Sequence, residues 1–181
     1  LTDNAKMTVR WSELGSLQED YTEESVRQPT RIVIDSKNRL TPDLAFFLYE
    51  SPIILVRGNI NKTRLENLPQ WPHFVEQVQI PVLHSEKGEA KIDLTALLTE
   101  LAKRGLNDVL VESGAHLAGA FIEQNLADEL ILYQAPKLMG GEGKSLVEMP
   151  GVNTLNQAKQ LSISDVRHVG CDIRITAKIE K

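Results

Sequence analysis

The stretch Asn107 to Leu126, NDVLVESGAHLAGAFIEQNL, constrains the fold most, because its hydrophobic period changes once and abruptly. Asp108-Val109-Leu110-Val111 is a short apolar run of the kind that forms a buried strand. Glu112-Ser113-Gly114 breaks that run where a turn is cheap. From Ala115 onward, Leu117, Ala118, Phe121 and Ile122 recur at helical spacing and make one apolar face. Strand, tight turn and helix in that order belong to an open α/β sheet, where such a junction lies at the carboxyl edge and receives ligands. The first N–H groups of the helix have no helical acceptor there, and the helix dipole favours an anion such as a nucleotide pyrophosphate. A glycine at the junction also serves a turn that needs positive φ or close approach. Glu112 alone reads more readily as a cap or a surface carboxylate than as a catalytic group. The spaced-glycine fingerprint of a dinucleotide fold is absent.

The rest of the chain extends this pattern. Leu1 to Arg10, LTDNAKMTVR, is a polar turn running into a short extended piece in which Met7 and Val9 alternate with Thr8 and Arg10. Trp11 to Gln28 is acidic and lacks a sustained apolar period, which predicts a surface loop ended by Pro29. Arg31 to Ser36 is a strand rich in β-branched residues, followed by the turn Lys37-Asn38-Arg39. The two bases of that turn read first as a solvated turn and only second as a phosphate contact. Thr41-Pro42 has the form of an N-cap and first helical position, predicting a short helix to Tyr49. Ser51 to Arg57 is the next strand, closed by Gly58; a helical turn is expected within Lys62 to Trp71. A strand interrupted by Pro81 is expected within Phe74 to Leu83.

Asp93 to Arg104 is an amphipathic helix with Leu94, Leu97, Leu98 and Leu101 as its stripe, Asp93 as cap and Gly105 as stop. Beyond the central stretch, Asp128 to Tyr133 reads as a strand. Leu161 to His168 and Asp172 to Lys178 alternate in period two across Gly170-Cys171 and predict a terminal antiparallel hairpin. The expected fold is therefore α/β: a mixed, mostly parallel sheet flanked by helices, with an antiparallel hairpin at the C-terminal end.

A chain of 181 residues suits one domain with a sizeable core. Its net charge of −5 argues against a general nucleic-acid or anionic-membrane binder, while leaving room for a local basic pocket. Cys171 is the only cysteine, which excludes an intrachain disulfide or a thiolate zinc cluster and points to a reducing, cytoplasmic setting. The histidines, His73, His84, His116 and His168, have no metal-ligand spacing, so no metal is expected. No apolar run is long enough for a membrane span, and no signal peptide is visible. Gly140-Gly141-Glu142-Gly143-Lys144-Ser145 lacks the glycine spacing of a P-loop and precedes no helical pattern.

Several stretches in order, LTDNAKMTVRW, RIVIDSKNRL, DVLVESGAHLAGAFIEQNLADELILYQAPKLMGG and VRHVGCDIRI, span most of the chain. Together they resemble the C-terminal reductase domain of the bifunctional riboflavin-biosynthesis deaminase/reductase, which has a dihydrofolate-reductase-like fold. The resemblance implies NADPH as cofactor. It implies reduction of the ribose of 5-amino-6-(5-phosphoribosylamino)uracil to a ribityl chain, a homodimer, and a deaminase domain as partner in the same polypeptide. It also implies a single reductase domain over 1–181 that lacks the family's first strand and is an N-terminally incomplete part of a longer protein. The deaminase signature itself, His-x-Glu with Pro-Cys-x-x-Cys, does not occur here.

Residue by residue, the resemblance assigns Asp3, Ser36 and the run Gly114, Ala115, His116, Leu117, Ala118, Gly119, Ala120 to the cofactor. Leu117 within that run and Phe121 just after it are better explained by their apolar spacing as core, and His116 reads first as a solvated helix-start residue. Lys37 or Arg39 is then placed to reach the 2′-phosphate. Met7, Arg10 and Glu112 are implied to line the substrate site, Arg10 as a bidentate partner for the substrate phosphate. Glu112 is the catalytic candidate, either as a proton donor or in orienting a substrate hydroxyl or amine. Asn4, Ala5 and Ser113 depart from the residues usual in the family. A nucleotide-binding remnant without catalysis is the competing reading, and an intact opening strand separates the two. A Rossmann dehydrogenase would need a Gly-rich turn after its first strand, which the chain does not offer.

Overall fold

The computed structural model describes residues 5–58, 69–84 and 90–181. They form two compact units, Leu1–Glu100 and Leu101–Lys181. The first is built on three parallel strands in the order β1-β2-β3: β1 Arg31–Ile34, β2 Ile53–Arg57 and β3 Val75–Gln79. Parallel strands carry apolar side chains on both faces when both are covered. The central strand shows this, with Ile53, Ile54, Leu55, Val56 and Arg57 all buried. Phe47, Ile53, Leu55 and Val75 form the core cluster, against which Val33, Leu40, Leu44, Phe46, Trp71 and Phe74 pack.

Phe47 comes from α1, Ala45–Leu48. The predicted helix start at Pro42 is not used. Thr41 to Leu44 is a turn closed by the Leu44 N–H on the Thr41 carbonyl at 3.3 Å, and Leu44 remains extended at ψ 143°. Burial of Phe47 sets where this helix begins, and local capping chemistry does not. Part of the predicted helical turn of Lys62 to Trp71 lies outside the described residues.

Pro81 divides the next predicted strand as a residue without an N–H must. Before it, the Ile80 N–H continues the ladder onto the Arg57 carbonyl at 2.8 Å. After it, β4 Val82–His84 pairs antiparallel with β5 Ala90–Ile92, a strand too short to have been read from period alone. Then α2, Leu94–Lys103, carries the chain from one unit into the other. Its start is capped as predicted, with the Ala96 N–H donating to Asp93 Oδ1 at 3.0 Å. Its end closes on Gly105 at φ 76°, where the Leu106 N–H reaches back to the Leu101 carbonyl.

In the second unit α3, Ala115–Glu123, and β6, Glu129–Gln134, fall where the sequence places them. β7 Leu161–Val169 and β8 Asp172–Ile179 make the predicted hairpin across Gly170 at φ 60°. β8 lies in the middle of an antiparallel sheet ordered β6-β8-β7. A register shift between Ile163 and Asp165 sets a short ionic link on the hairpin. The Asp165 carboxylate takes both Arg167, at 2.7 and 3.0 Å, and Arg174, at 3.2 Å, and so separates two like charges that face each other across the ladder. Arg167 and Arg174 together hold the Asp165 carboxyl below the usual carboxylate range, the Arg167 hydrogen bond being the larger cause.

One expectation fails. Asp108–Val111 is not a strand: it pairs with no described strand, and Leu110 is 73% exposed. A run of apolar residues specifies burial on both faces, but a strand exists only with a neighbour to share its N–H and C=O groups. The chain's α/β character with both parallel and antiparallel pairing is as expected, and the two pairings occupy separate sheets.

Candidate functional site

In the first unit the carboxyl ends of β1 and β2 carry two buried charged side chains, Asp35 and Arg57. Asp35, 4% exposed, ends β1, and its carboxylate accepts the backbone N–H of Arg39 at 2.9 Å and of Leu40 at 3.0 Å. Folding a carboxylate back onto its own turn satisfies the two N–H groups and shapes residues 35–40. Asn38 adopts φ 51°, a conformation that asparagine tolerates better than most residues. Lys37 and Arg39 stand exposed on the outside of the turn, while Ser36 and Asn38 are half-buried. The two bases therefore leave their charge in water at the edge of the parallel sheet, open to a phosphate.

The segment that holds Met7 and Arg10 is tied to the same unit by two side chains. Gln28 pins Val9 reciprocally, accepting its N–H at 2.9 Å and donating to its carbonyl at 3.0 Å. Arg31, 3% exposed, donates to the Lys6 carbonyl at 3.0 Å, Ser51 Oγ at 2.9 Å, the Tyr49 carbonyl at 2.6 Å and the Phe46 carbonyl, with its guanidinium over the Phe46 ring. Burial lowers the Arg31 pKa from its ordinary value, partly offset by Tyr49. Met7 is at φ 52° and 37% exposed. Arg10 is exposed and paired with Glu13 at 2.8 Å, an ion pair on the surface that a ligand phosphate would have to displace. Asp3 lies outside the described residues.

In the second unit Glu112, Ser113 and Gly114 are exposed and lead into α3. Gly114 is the N-cap in extended conformation, φ −73° and ψ 166°, and no side chain caps the helix. Its carbonyl accepts the N–H groups of Leu117 and Ala118, each at 3.1 Å. Ala115, Leu117, Ala118 and Ala120 are half-buried. His116 is exposed with Nδ1 at 2.8 Å from Glu148 Oε2, and the Glu148 N–H donates to the Ala115 carbonyl at 3.0 Å. Gly119 is buried against that same segment, and a Cβ there would overlap the backbone of Glu148. Gly119→Ala is accordingly expected to cost about 1–3 kcal/mol of unfolding free energy through overpacking, measured by urea denaturation.

The structure thus groups Ser36, Lys37 and Arg39 on one turn, and Glu112 with Gly114 to Ala120 on one loop-to-helix junction. It adds residues that the sequence did not mark. Arg31, Gln28, Asp35, Asn38 and Arg57 hold backbone or each other, and residue type without contacts carries no signal for such roles. Among the described residues no group of three or more metal-ligating side chains occurs, and no helix is long and apolar enough to cross a membrane.

Comparison with known proteins agrees along nearly the whole chain. The family model described as RibD C-terminal domain matches residues 1–175. The riboflavin biosynthesis protein RibD of Escherichia coli (strain K12) is 39% identical over 174 residues, covering 96% of this chain and 44% of that protein. The chain therefore spans less than half the length of that relative. The 5-amino-6-(5-phosphoribosylamino)uracil reductase of Buchnera aphidicola subsp. Acyrthosiphon pisum is 32% identical over 183 residues, covering 100% of this chain and 83% of that protein. The solved structure of Acinetobacter baumannii RibD, 26% identical, superposes with a TM-score of 0.75 over 99% of this chain and 44% of that one.

Proposed function

The chain belongs to the RibD C-terminal domain family, and on that premise we propose that it uses NADPH to reduce the ribosyl group of 5-amino-6-(5-phosphoribosylamino)uracil to the ribitylamino product. One observation carries the reading. The Buchnera relative is named as a 5-amino-6-(5-phosphoribosylamino)uracil reductase, and its likeness runs over the whole of this chain and 83% of its own length.

The residues fit the cofactor's chemistry. Lys37 and Arg39 offer two exposed cations on a turn at the carboxyl edge of the parallel sheet, suited to a phosphate monoester. The first turn of α3 has no side-chain cap and suits a pyrophosphate oxygen. In this reading Asp3, Ser36 and Gly114 through Ala120 bind the cofactor, while Met7, Arg10 and Glu112 bind the substrate. Held by these residues, NADPH would supply the hydride for the sugar C1 carbon of the substrate's ring-opened imine. The ring-linked nitrogen then takes a proton, for which Glu112 or a water that it orients is the donor. Arg10 fixes the substrate phosphate, so that binding energy far from the reacting carbon orients it. The setting is cytoplasmic, the assembly a homodimer, and the deaminase of the longer polypeptide is the natural source of the substrate.

The test is an NADPH titration by fluorescence, followed by loss of NADPH absorbance on adding the phosphoribosylaminouracil. Saturable binding with substrate-dependent oxidation is the expected result. Binding without oxidation would identify a nucleotide-binding remnant, and no binding would end the reading.

A further inference from the structure

Among the described residues two arginines of the first unit, Arg31 and Arg57, are buried, and they are not equivalent. Arg31 spends its donors on four acceptors, as a structural cation should. Arg57, 2% exposed at the carboxyl end of β2, makes one hydrogen bond among the described residues, from Nη1 to Asn38 Oδ1 at 2.7 Å. Its Nε and Nη2 have no partner among the described residues. The guanidinium lies over the Trp71 ring at 5.5 Å, and burial lowers its pKa, offset in part by the Asp35 carboxylate.

A buried cation with so few partners is a poor stability device, since a well-packed apolar residue of similar volume commonly does as well or better. Its one bond, however, falls on the residue of the 35–40 turn that takes the left-handed conformation. Asp35 holds that turn from within through the N–H groups of Arg39 and Leu40. Arg57 holds it from the neighbouring strand through Asn38, between Lys37 and Arg39. The side chains facing inward are thereby locked, and those facing outward are the two bases.

We propose that Arg57 is a positioning residue: acting through Asn38, it sets the 35–40 turn so that Lys37 and Arg39 meet the 2′-phosphate, and so secures preference for NADPH over NADH. The proposal rests on the reductase reading above. Arg57 touches neither cofactor nor substrate in this role, and the hydride transfer itself does not depend on it.

The experiment uses the full chain with Arg57→Met, Asn38→Gly and the double variant. Glycine keeps the positive φ and removes only the acceptor, so Asn38→Gly tests the link even if Arg57→Met fails to fold. Hydrogen exchange without cofactor is read at the Arg39 and Leu40 amides, which are expected to exchange about tenfold faster once the charged hydrogen bond is lost. The ratio of kcat/KM for NADPH to that for NADH is expected to fall about tenfold, with kcat at saturating NADPH little changed. The double variant should be no worse than the worse single one, because both remove the same link. Unchanged exchange would overturn the proposal. So would an equal loss with both cofactors, the mark of general destabilisation. If the unaltered protein fails to bind NADPH, the reductase reading falls and the cofactor half of the proposal with it. The exchange result then still decides whether Arg57 shapes the turn.

Discussion

Arg31→Met should lower the free energy of unfolding by about 2 kcal/mol or more, read from urea denaturation with unchanged m-value, because the buried Ser51 hydroxyl and three part-buried carbonyls lose a charged donor at once. The reason lies in what Arg31 joins. Its guanidinium reaches the Lys6 carbonyl of the N-terminal segment, the carbonyls of Phe46 and Tyr49 around α1, and Ser51 before β2. Methionine, whose sulfur cannot donate, leaves the buried Ser51 hydroxyl and the part-buried carbonyl contacts without their charged donor. Arg31→Lys keeps the charge but offers three donors without the planar fork, so a smaller loss is expected. A loss below about 1 kcal/mol for the methionine variant, no more than one ordinary hydrogen bond, would show that water replaces the guanidinium at these acceptors. Looser attachment of Lys6 would also loosen Met7 and Arg10, linking this structural cation to the proposed substrate residues.

The second large effect is expected at Glu112. Under the reductase reading Glu112→Gln keeps the side chain's size, removes its proton-transfer capacity and should lower kcat by about 100-fold, the low end for a lost general acid or base. Binding of NADPH should stay within about twofold of the unaltered protein, since in this reading the carboxylate serves substrate. Glu112 is exposed beside the Ser113-Gly114 turn, so the substitution disturbs no buried hydrogen bond. An unchanged kcat would remove Glu112 from the catalytic machinery. A raised KM with normal kcat would instead assign it to uniform binding of a substrate hydroxyl or amine.

Much of the fold was legible in the chain because local rules and tertiary packing agree there. The β-branched runs of β1 and β2, the leucine stripe of α2 and the Asp93 cap all fall where read. So does the hairpin of β7 and β8. Agreement failed where a residue's own preference competes with burial. Thr41-Pro42 is a good helix start by capping chemistry, yet the helix begins at Ala45, as seating Phe47 in the core demands. Asp108–Val111 has the composition of a strand but no described strand to pair with.

For the candidate site the division is similar. The turn with Lys37 and Arg39 and the junction from Glu112 to Ala120 were visible as residues of suitable chemistry at suitable breaks in period. Gly119 was read as part of a phosphate-binding run, and its immediate role is to let the Glu148 backbone lie against α3. Asp35, Asn38 and Arg57 carried no signal, since a polar residue at a strand end is ordinarily a solvated one.

Periodicity, turn chemistry and order along the chain were enough by themselves to determine an α/β protein, most of its elements and the stretches through which its family is recognised. Only the tertiary structure decided which polar side chains are withdrawn from water. Burial is a property of neighbours distant in the chain, and it separates Arg31 and Arg57, which are withdrawn from water, from Lys37 and Arg39, which stay exposed.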